Sequence, residues 1–298
     1  MSGVVQGSAC GPGLYTVLAD SLLRKIKLHK WAFADDFKFL ADVTVHSHAA
    51  VQAEIDTVSE WSDERLMPLS LSKCGVMHCG KEQPCHTYKL QGSVLTTMET
   101  FKDLGLLRSS DGRYEGHCQS AAARASRISG AIRRLFHSKS PKLLWPAYRS
   151  YVQPILMYGS VAWNTAVCKD SQAIEKVQRR LTKSMHSMRN LSYEERLTRL
   201  NSLSLQNERL YADMVFTYKA INGYINYPAH EFGLTTLQSA TRGGGVRLIQ
   251  RRGTSRAVAE AFSIRAPSVW NKLPLYITAS SSLIVFKNRL RHYLLNVT

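Results

Sequence analysis

The sequence predicts an α+β protein, in which a region of short strands and helices precedes a mainly helical region. Up to about residue 110, short apolar runs of strand length alternate with turn residues and two helical segments. From about residue 114, apolar residues recur at helical spacing and carboxylates become scarce. We therefore expect three regions, residues 1–110, 111–225 and 226–298, the last of which closes with a helix.

The first region is predicted to begin with a helix and a pair of strands. Pro12 is tolerated in the first turn of a helix, and residues 12–29 continue as a mostly apolar segment. Residues 31–34 and 37–43 are predicted strands, and their apolar side chains indicate that they are buried. A second helix is predicted over residues 48–65, where apolar residues recur every three or four positions.

Two further strand pairs are predicted before residue 110. GVMHCGKEQPCHTYKL, residues 75–90, is interpreted as a hairpin that turns at Lys81 to Pro84. Residues 98–107 are interpreted as a second strand pair that ends in KDLGLL.

Five potential zinc ligands lie in and beside the first of these hairpins: Cys74, His78, Cys79, Cys85 and His86. They lack the Cys-x2-Cys pair that is common in structural zinc sites. Alternate residues from Cys74 to His78 also fit one strand, so zinc is the less favoured interpretation of this segment.

Helices are predicted to dominate after residue 114. The clearest covers residues 171–188, and two others cover 204–222, ending near Gly223, and 280–295. The apolar stripe of the clearest helix is assigned to core packing, and its members are Ile174, Val177, Leu181, Met185 and Met188.

The chain carries a formal net charge of +17 and has a pI of about 9.8. Such a balance is typical of proteins that meet a polyanion, either nucleic acid or a membrane surface, and a basic protein without such a partner is the alternative. The charge is concentrated between residues 115 and 150, where Glu115 is the lone carboxylate. The basic residues there are Arg124, Arg127, Arg133, Arg134, Lys139, Lys142 and Arg149.

The sequence favours an intracellular protein with no membrane partner. No apolar stretch reaches the roughly 20 residues that span a bilayer. The first residues lack the basic and apolar segments of a signal peptide. The six cysteines follow no regular framework, which favours reduced thiols.

The stretch WAFADDFKFLAD, residues 31–42, places Asp35 and Asp36 between apolar runs. Desolvating two neighbouring carboxylates costs several kcal/mol each, unless a cation offsets their charge. Mg²⁺ is commonly held by one or two carboxylates together with substrate phosphates. The pair therefore indicates a magnesium site for phosphoryl transfer, and a solvated surface turn is the alternative.

The segment SGVVQGSACGPGLYTVLADSLL, residues 2–23, followed by FADDFKFLAD, resembles the palm of a reverse transcriptase of the non-LTR (LINE-type) retrotransposons. In that family a Ser-Gly-Val-Pro-Gln-Gly-Ser loop leads into a helix and then a Phe/Tyr-Ala-Asp-Asp hairpin; Val5 stands here for the usual proline. Five later segments also resemble segments of this family and occur in the same order: WSDERLMPLSLSKCGVMHCG, FKDLGLL, LLWPAYRSYVQPILMYGSVAWN, FSIRAPSVWNKLP and FKNRLRHYLL.

The resemblance implies RNA-directed DNA synthesis by two-metal nucleotidyl transfer, with an RNA template, a DNA primer and deoxynucleoside triphosphates as partners. It also implies access to the nucleus. The implied catalytic residues are the Mg²⁺ ligands Asp35 and Asp36, and Lys73, which would lie near the triphosphate. The other implied or candidate contacts are Gln6, Gly7, Ser8, Phe33 and Ala34 for nucleotide or template, Leu104 and Gly105 for the primer grip, and Arg124, Arg127, Arg133 and Arg134 for the nucleic-acid backbone.

The family's palm also contains an earlier strand with another metal-binding aspartate, preceded by a fingers subdomain, and neither has a counterpart in this sequence. We therefore expect part of a palm over 1–110, a thumb over 111–225 and a tail over 226–298, inactive in isolation, with the N-terminal half of the polymerase as a candidate partner. The alternatives are a non-catalytic nucleic-acid-binding remnant of a retroelement and a decayed chain without function.

Overall fold

The computed structural model describes residues 7–80, 84–165, 168–237 and 246–296. The chain divides into two compact units, which we call unit 1 (Met1–Phe101) and unit 2 (Lys102–Thr298). The finer division into palm, thumb and tail stays a prediction.

Unit 1 contains two helices that share a core. Helix α1 covers Gly11–Lys25 with proline in its first turn, and α2 covers His48–Glu64, where the Ser47 hydroxyl accepts a hydrogen bond from the Ala50 amide at 3.2 Å. Both helices confirm the sequence prediction, although α1 ends at Lys25 instead of residue 29. The buried residues of their core are Leu22, Ile26, Leu28, Val58, Trp61 and Leu90.

Strands β1 (His29–Phe33) and β2 (Asp36–Leu40) form an antiparallel hairpin, which confirms the predicted strand pair. The expectation that both strands are buried is wrong, because every residue of β1 is exposed. Alternation along the strands accounts for the exposed Phe33. Phe37 and Phe39 of β2 pack against the unit 1 core, whereas Phe33 on the other face of the hairpin is 62% exposed.

The predicted hairpin over residues 75–90 is wrong. Strand β3 (Gly75–Val76) pairs in parallel with β6 (Thr96–Thr97), while β4 (Lys89–Leu90) pairs with β5 (Ser93–Val94). Most of the predicted turn, residues 81–83, lies outside the described residues.

A close backbone approach at Gly75 accounts for this pairing. A Cβ atom at that position would lie 2.8 Å from the Thr96 carbonyl oxygen and closer still to the Met98 side chain. Glycine permits the approach because it has no Cβ. The pairing is continued by the Met98 amide, which donates to the Val76 carbonyl at 2.8 Å.

Strands β7 (Thr100–Asp103) and β8 (Leu106–Ser109) form a further hairpin, which confirms the predicted strand pair over 98–107. Leu104 and Gly105 make its two-residue turn, with φ of +45° and +85°. Two positive φ values are typical of the tight turns that match the twist of a hairpin.

Unit 2 is mainly helical. In chain order its helices are α3 (Glu115–Leu135), α4 (Pro141–Tyr151), α5 (Gln153–Met157), α6 (Ser160–Trp163), α7 (Cys168–Lys183), α8 (Tyr193–Arg199), α9 (Leu205–Ile221), α10 (Arg256–Ala259), α11 (Phe262–Trp270), α12 (Leu275–Thr278) and α13 (Leu283–Asn296). Strands β9 (Thr236–Leu237) and β10 (Arg247–Leu248) pair antiparallel, and single 3-10 turns occupy Leu71–Lys73 in unit 1 and Ala229–Phe232 in unit 2.

Helices α9 and α13 confirm the predictions over 204–222 and 280–295, and α7 does so with a shift. Helix α7 ends at Lys183, so the last two members of its predicted stripe, Met185 and Met188, are buried in the turns that follow. The expected stripe is therefore apolar core, as predicted, although it is not all helix.

Unit 2 has two apolar clusters. The first gathers α3, α4, α5 and α7 around Ala121, Ala125, Leu144, Leu156, Ile174 and Leu181. The second gathers α9, α11 and α13 around Met214, Tyr218, Trp270, Phe286 and Leu290. Together with the small sheets, this composition agrees with an α+β protein. Within the described part of the chain, no helix combines the length and apolar character needed to cross a membrane.

Candidate active site and nucleic-acid interface

The predicted acidic pair lies at the tip of the β1–β2 hairpin. Phe33 pairs with Asp36, so the turn itself consists of Ala34 and Asp35. Ala34 has a φ of +50°, a left-handed conformation that residues with a Cβ adopt at some cost. Both aspartates are exposed. The Asp35 carboxylate therefore lies in a two-residue turn and the Asp36 carboxylate on the first residue of β2, and both are open to a ligand.

Tyr15 of helix α1 lies within electrostatic reach of this pair. Burial raises the pKa of the Tyr15 phenol, and the negative charges of Asp35 and Asp36 raise it further. Sequence reasoning did not select Tyr15. Its position one turn into the helix that follows the Gln-Gly-Ser loop was the available signal.

The loop residues expected to contact nucleotide or template lie just before α1. Gln6 lies outside the described residues. Gly7 has a φ of +87°, and the Ser8 hydroxyl accepts a hydrogen bond from the Gly11 amide at 3.1 Å. The described part of the loop thus leads directly into the helix that carries Tyr15.

Lys73 ends the 3-10 turn that precedes β3, and it is exposed. Its amide donates to the Ser70 carbonyl at 2.9 Å. Among the described residues, its ammonium group forms no ion pair with Asp35 or Asp36. Its role at the triphosphate stays a prediction.

The donor set at the hairpin tip fits a magnesium ion that completes its shell with water and phosphate. Mg²⁺ takes hard oxygen ligands and is commonly held by one or two protein carboxylates. In the described ranges, no group of three or more His, Cys, Asp or Glu side chains is placed to hold a metal. The alternative zinc cluster is no exception, and His78 instead stacks against the Tyr88 ring at a centroid distance of 6.5 Å.

The predicted primer-grip residues lie at the tip of the β7–β8 hairpin, where Tyr158 holds them. The Tyr158 hydroxyl donates a hydrogen bond to the Leu104 carbonyl at 2.8 Å. A Cβ atom on Gly105 would lie 3.2 Å from Tyr158 Cε1. The Tyr158 carbonyl in turn accepts a hydrogen bond from the Trp163 indole at 2.6 Å. The turn is therefore tied to the buried part of unit 2.

The four arginines expected to contact a nucleic-acid backbone all lie on α3, and all are exposed. At 3.6 residues per turn, Arg124, Arg127 and Arg134 share one side of the helix. Arg133 is turned by about 100° from Arg134.

Helix α7 carries a second exposed basic face. Ile174, Val177 and Leu181 of this helix are buried. Lys176, Arg180 and Lys183, on the other side of the helix, are exposed. The exposed arginines of α3 and the exposed cations of α7 therefore lie on two different helices.

Two motifs noted in the sequence meet in a buried polar cluster centred on Asp213 of α9. Arg265, from FSIRAP, donates to both carboxylate oxygens of Asp213 at 2.9 and 3.0 Å. Asn164, from SVAWN, donates to the same carboxylate at 2.8 Å and accepts from Arg209 at 3.1 Å. Arg209 also donates to Ser171 at 2.8 Å. These contacts assign a structural role to both motifs.

Comparison with known proteins gives one informative similarity. The chain is 26% identical over 171 residues to a 115 kDa protein in the type-1 retrotransposable element R1DM of Drosophila melanogaster. The match covers 54% of this chain and 17% of that protein. No protein-family model matches the sequence. No solved structure matches the chain. The similarity supports a relationship between this chain and proteins of non-LTR retrotransposable elements.

Proposed function

We propose that the chain is part of a reverse transcriptase of a non-LTR retrotransposon and carries its nucleotidyl-transfer carboxylates. The observation that carries the proposal is the exposed Asp35–Asp36 pair at the tip of the β1–β2 hairpin, with both charges acting on the phenol of Tyr15. The similarity to a retrotransposable-element protein supports the same assignment.

In this proposal the two carboxylates hold Mg²⁺, which when bound stabilises negative charge on the phosphoryl oxygens. The open tip of the hairpin admits a triphosphate. The exposed Phe33 ring offers a stacking surface for a base or sugar. Lys73 would neutralise the triphosphate and give a proton to the departing pyrophosphate.

The β7–β8 hairpin would hold the primer strand in this assignment, with the Leu104–Gly105 turn as its contact. Turns with glycine allow a backbone to approach a ligand closely. The hydrogen bond from the Tyr158 hydroxyl to the Leu104 carbonyl would keep the turn in one conformation. The arginines of α3 would contact phosphates of the bound duplex.

Two carboxylates alone fall short of a two-metal site, which clamps both the attacking and the leaving oxygen. The described residues supply no third metal-binding side chain at the hairpin. We therefore expect the chain by itself to bind its ligands without extending a primer above background.

A ligand-binding experiment tests the proposal. The binding of a deoxynucleoside triphosphate to a complex of the chain with an RNA template and a DNA primer is measured with Mg²⁺ and with a chelator. Mg²⁺ is expected to strengthen binding to the unmodified chain and to have little effect on the Asp35→Asn/Asp36→Asn variant. Asp56→Asn, which removes an exposed carboxylate of α2, is the matched control and keeps the Mg²⁺ effect.

An equal Mg²⁺ effect in the double variant would contradict the assignment of the metal ligands. Primer extension on the RNA template is followed in parallel. Robust synthesis that is lost in Asp35→Asn would show that another carboxylate completes the site and that the expected inactivity is wrong.

The exposed basic faces of α3 and α7 favour a second candidate function, a non-catalytic nucleic-acid-binding remnant of a retroelement. Such a chain would bind duplex with steep salt dependence. Its binding of triphosphate would not respond to Mg²⁺ through Asp35 and Asp36, which separates the two functions.

A further inference from the structure

We propose that the solvent face of α7, formed by Lys176, Arg180 and Lys183, is a second surface for the phosphate backbone of a nucleic-acid duplex, in addition to the arginines of α3. This inference deepens the proposed function and rests on its nucleic-acid partner. We call these three side chains the α7 basic face.

Helix α7 separates its charges by sign. Its two carboxylates, Asp170 and Glu175, are only 5% and 7% exposed. Glu175 accepts hydrogen bonds from the amides of Leu205 and Gln206 at 3.0 and 3.1 Å, and from the hydroxyl of Tyr193. The carboxylates of the helix are therefore buried, and they do not neutralise the charges of the cations on its solvent face.

The three cations stand four and seven residues apart along one side of the helix, so they are neighbours. Like charges at this spacing repel one another and destabilise a helix. Within the described ranges, none of the three forms an ion pair. A polyanion bound on this face would offset that repulsion, because a phosphate would lie opposite each cation and attract it.

The neighbouring basic residues of α7 are already engaged. Arg179 lies over the Tyr193 ring at 4.7 Å from its centroid. Lys169 pairs with Glu115 at 3.0 Å. The α7 basic face is thus limited to three side chains, which span roughly 10 Å along the helix at 1.5 Å per residue. One strand of a duplex carries a phosphate about every 3.4 Å of its axis, so the face covers about three phosphates.

The α7 basic face is distinct from the arginines of α3. The two helices run parallel, because Lys169 meets Glu115 at their first turns and the His186 amide donates to the Lys139 carbonyl at 2.9 Å beyond their last turns. Their buried sides share one apolar cluster. Each basic face therefore points away from the partner helix, and the two can hold different parts of a duplex.

The test compares the salt dependence of duplex binding for three variants with equal loss of charge. The first is Lys176→Gln/Arg180→Gln/Lys183→Gln, and the second is Arg124→Gln/Arg127→Gln/Arg134→Gln. The control is Arg247→Gln/Arg252→Gln/Lys272→Gln, which removes three exposed cations elsewhere in unit 2. Fluorescence anisotropy of a labelled RNA–DNA duplex gives the dissociation constant at a series of salt concentrations.

Each phosphate contact contributes about 0.9 to the slope of log affinity against log salt, so the α7 variant is expected to lose about 2 to 3 units of slope. The α3 variant should lose a similar amount, and the two losses should add. Replacing the three α7 residues by glutamate should weaken binding further. Circular dichroism checks that each variant keeps its helix content.

A slope in the α7 variant equal to that of the control would overturn the inference, as would an unmodified chain that does not bind duplex. Binding of the chain to vesicles of anionic lipid that is lost in the α7 variant, with duplex binding unchanged, would reassign the face to membranes and also overturn it. A loss of slope together with no Mg²⁺ effect at Asp35 and Asp36 would support the α7 basic face and contradict the catalytic proposal, so the two failures are distinguishable.

Discussion

The hydroxyl of Tyr158 donates a hydrogen bond to the main-chain carbonyl of Leu104 at 2.8 Å, across 54 positions of sequence. Leu104 occupies a left-handed conformation, with a φ of +45°. Such a conformation costs a residue with a Cβ about 1–2 kcal/mol. The hydrogen bond offsets part of this cost, so Tyr158 acts as a positioning residue for the hairpin turn.

Tyr158→Phe is therefore expected to loosen the turn without unfolding unit 2. The side chain is 55% exposed, so water replaces the lost bond in part and the free energy of unfolding should fall by about 1 kcal/mol or less. Hydrogen exchange of the Gly105 and Leu106 amides should become faster. Tyr151→Phe, which alters another exposed tyrosine, is the matched control. Equal exchange in both variants would show that the hydroxyl does not fix the turn.

Gly105→Ala should destabilise the same turn by a different route. The φ of +85° is costly for any residue with a Cβ, and the added methyl group would approach Tyr158 Cε1 to 3.2 Å. We expect a loss of about 1–2 kcal/mol in the free energy of unfolding, measured by urea denaturation. Combining it with Tyr158→Ala should relieve the contact, so a fully additive double variant would contradict this account.

Asp213→Asn is expected to destabilise unit 2 strongly. The carboxylate is buried and receives Arg265 through two hydrogen bonds and Asn164 through a third. Removing one partner of a buried ion pair leaves the other charge uncompensated and costs about 3–5 kcal/mol. In a unit of this size the melting temperature should fall by roughly 10 °C. Lys169→Gln, which breaks an exposed pair, should leave it unchanged.

Cys118 is expected to resist alkylation in the folded chain. Burial is the main cause that raises the pKa of its thiol to about 12, with a further contribution from the charge of Asp170. At pH 8 the thiolate fraction is therefore very small, and the side chain is inaccessible. Iodoacetamide followed by mass spectrometry should label the exposed Cys10, Cys79 and Cys85 first, and Cys118 only in denaturant. Rapid labelling of Cys118 in buffer would contradict its burial.

The helices were predictable because their signal is local. Phe286, Leu290 and Leu294 recur at helical spacing, and all three are buried along one side of α13. The β1–β2 hairpin was predictable for the same reason, since a short polar turn separates two apolar runs. Which face of that hairpin is buried depended on the packing of Phe37 and Phe39, and no local pattern states this.

The features that the sequence did not predict depend on contacts between residues that are distant in sequence. Asp213 meets Asn164 and Arg265 across 49 and 52 positions, and no spacing rule connects such residues. The parallel pairing of β3 with β6 involves two residues on each strand, which is too short for a periodic signal. At the candidate site, the sequence placed Asp35 and Asp36 on the hairpin, whereas the proximity of Tyr15 required the packing of α1.

The pKa of Tyr15 reports on the acidic pair. Burial is the larger cause that raises it, and the charges of Asp35 and Asp36 add to it because a nearby negative charge disfavours the phenolate. Neutralising the pair in Asp35→Asn/Asp36→Asn should therefore lower the pKa of Tyr15, yet leave it above its ordinary value. Nuclear magnetic resonance of tyrosine labelled with ¹³C at Cζ measures the change, and Tyr15→Phe assigns the signal.

Tyr88 provides an internal control for this experiment, because burial alone raises the pKa of its phenol. The pKa of Tyr88 should therefore be the same in the unmodified chain and in the double variant. Mg²⁺ added at neutral pH should shift the Tyr15 signal of the unmodified chain and leave that of the double variant in place, since the ion would sit on the carboxylates whose charges raise the pKa of Tyr15. The Tyr15 pKa could fall in the double variant while the Tyr15 signal of the unmodified chain does not respond to Mg²⁺. That result would confirm that the two charges lie near Tyr15 and would show that they do not bind magnesium. A pKa that does not change in the double variant would contradict the proximity of Tyr15 to the pair, on which the proposed function partly rests.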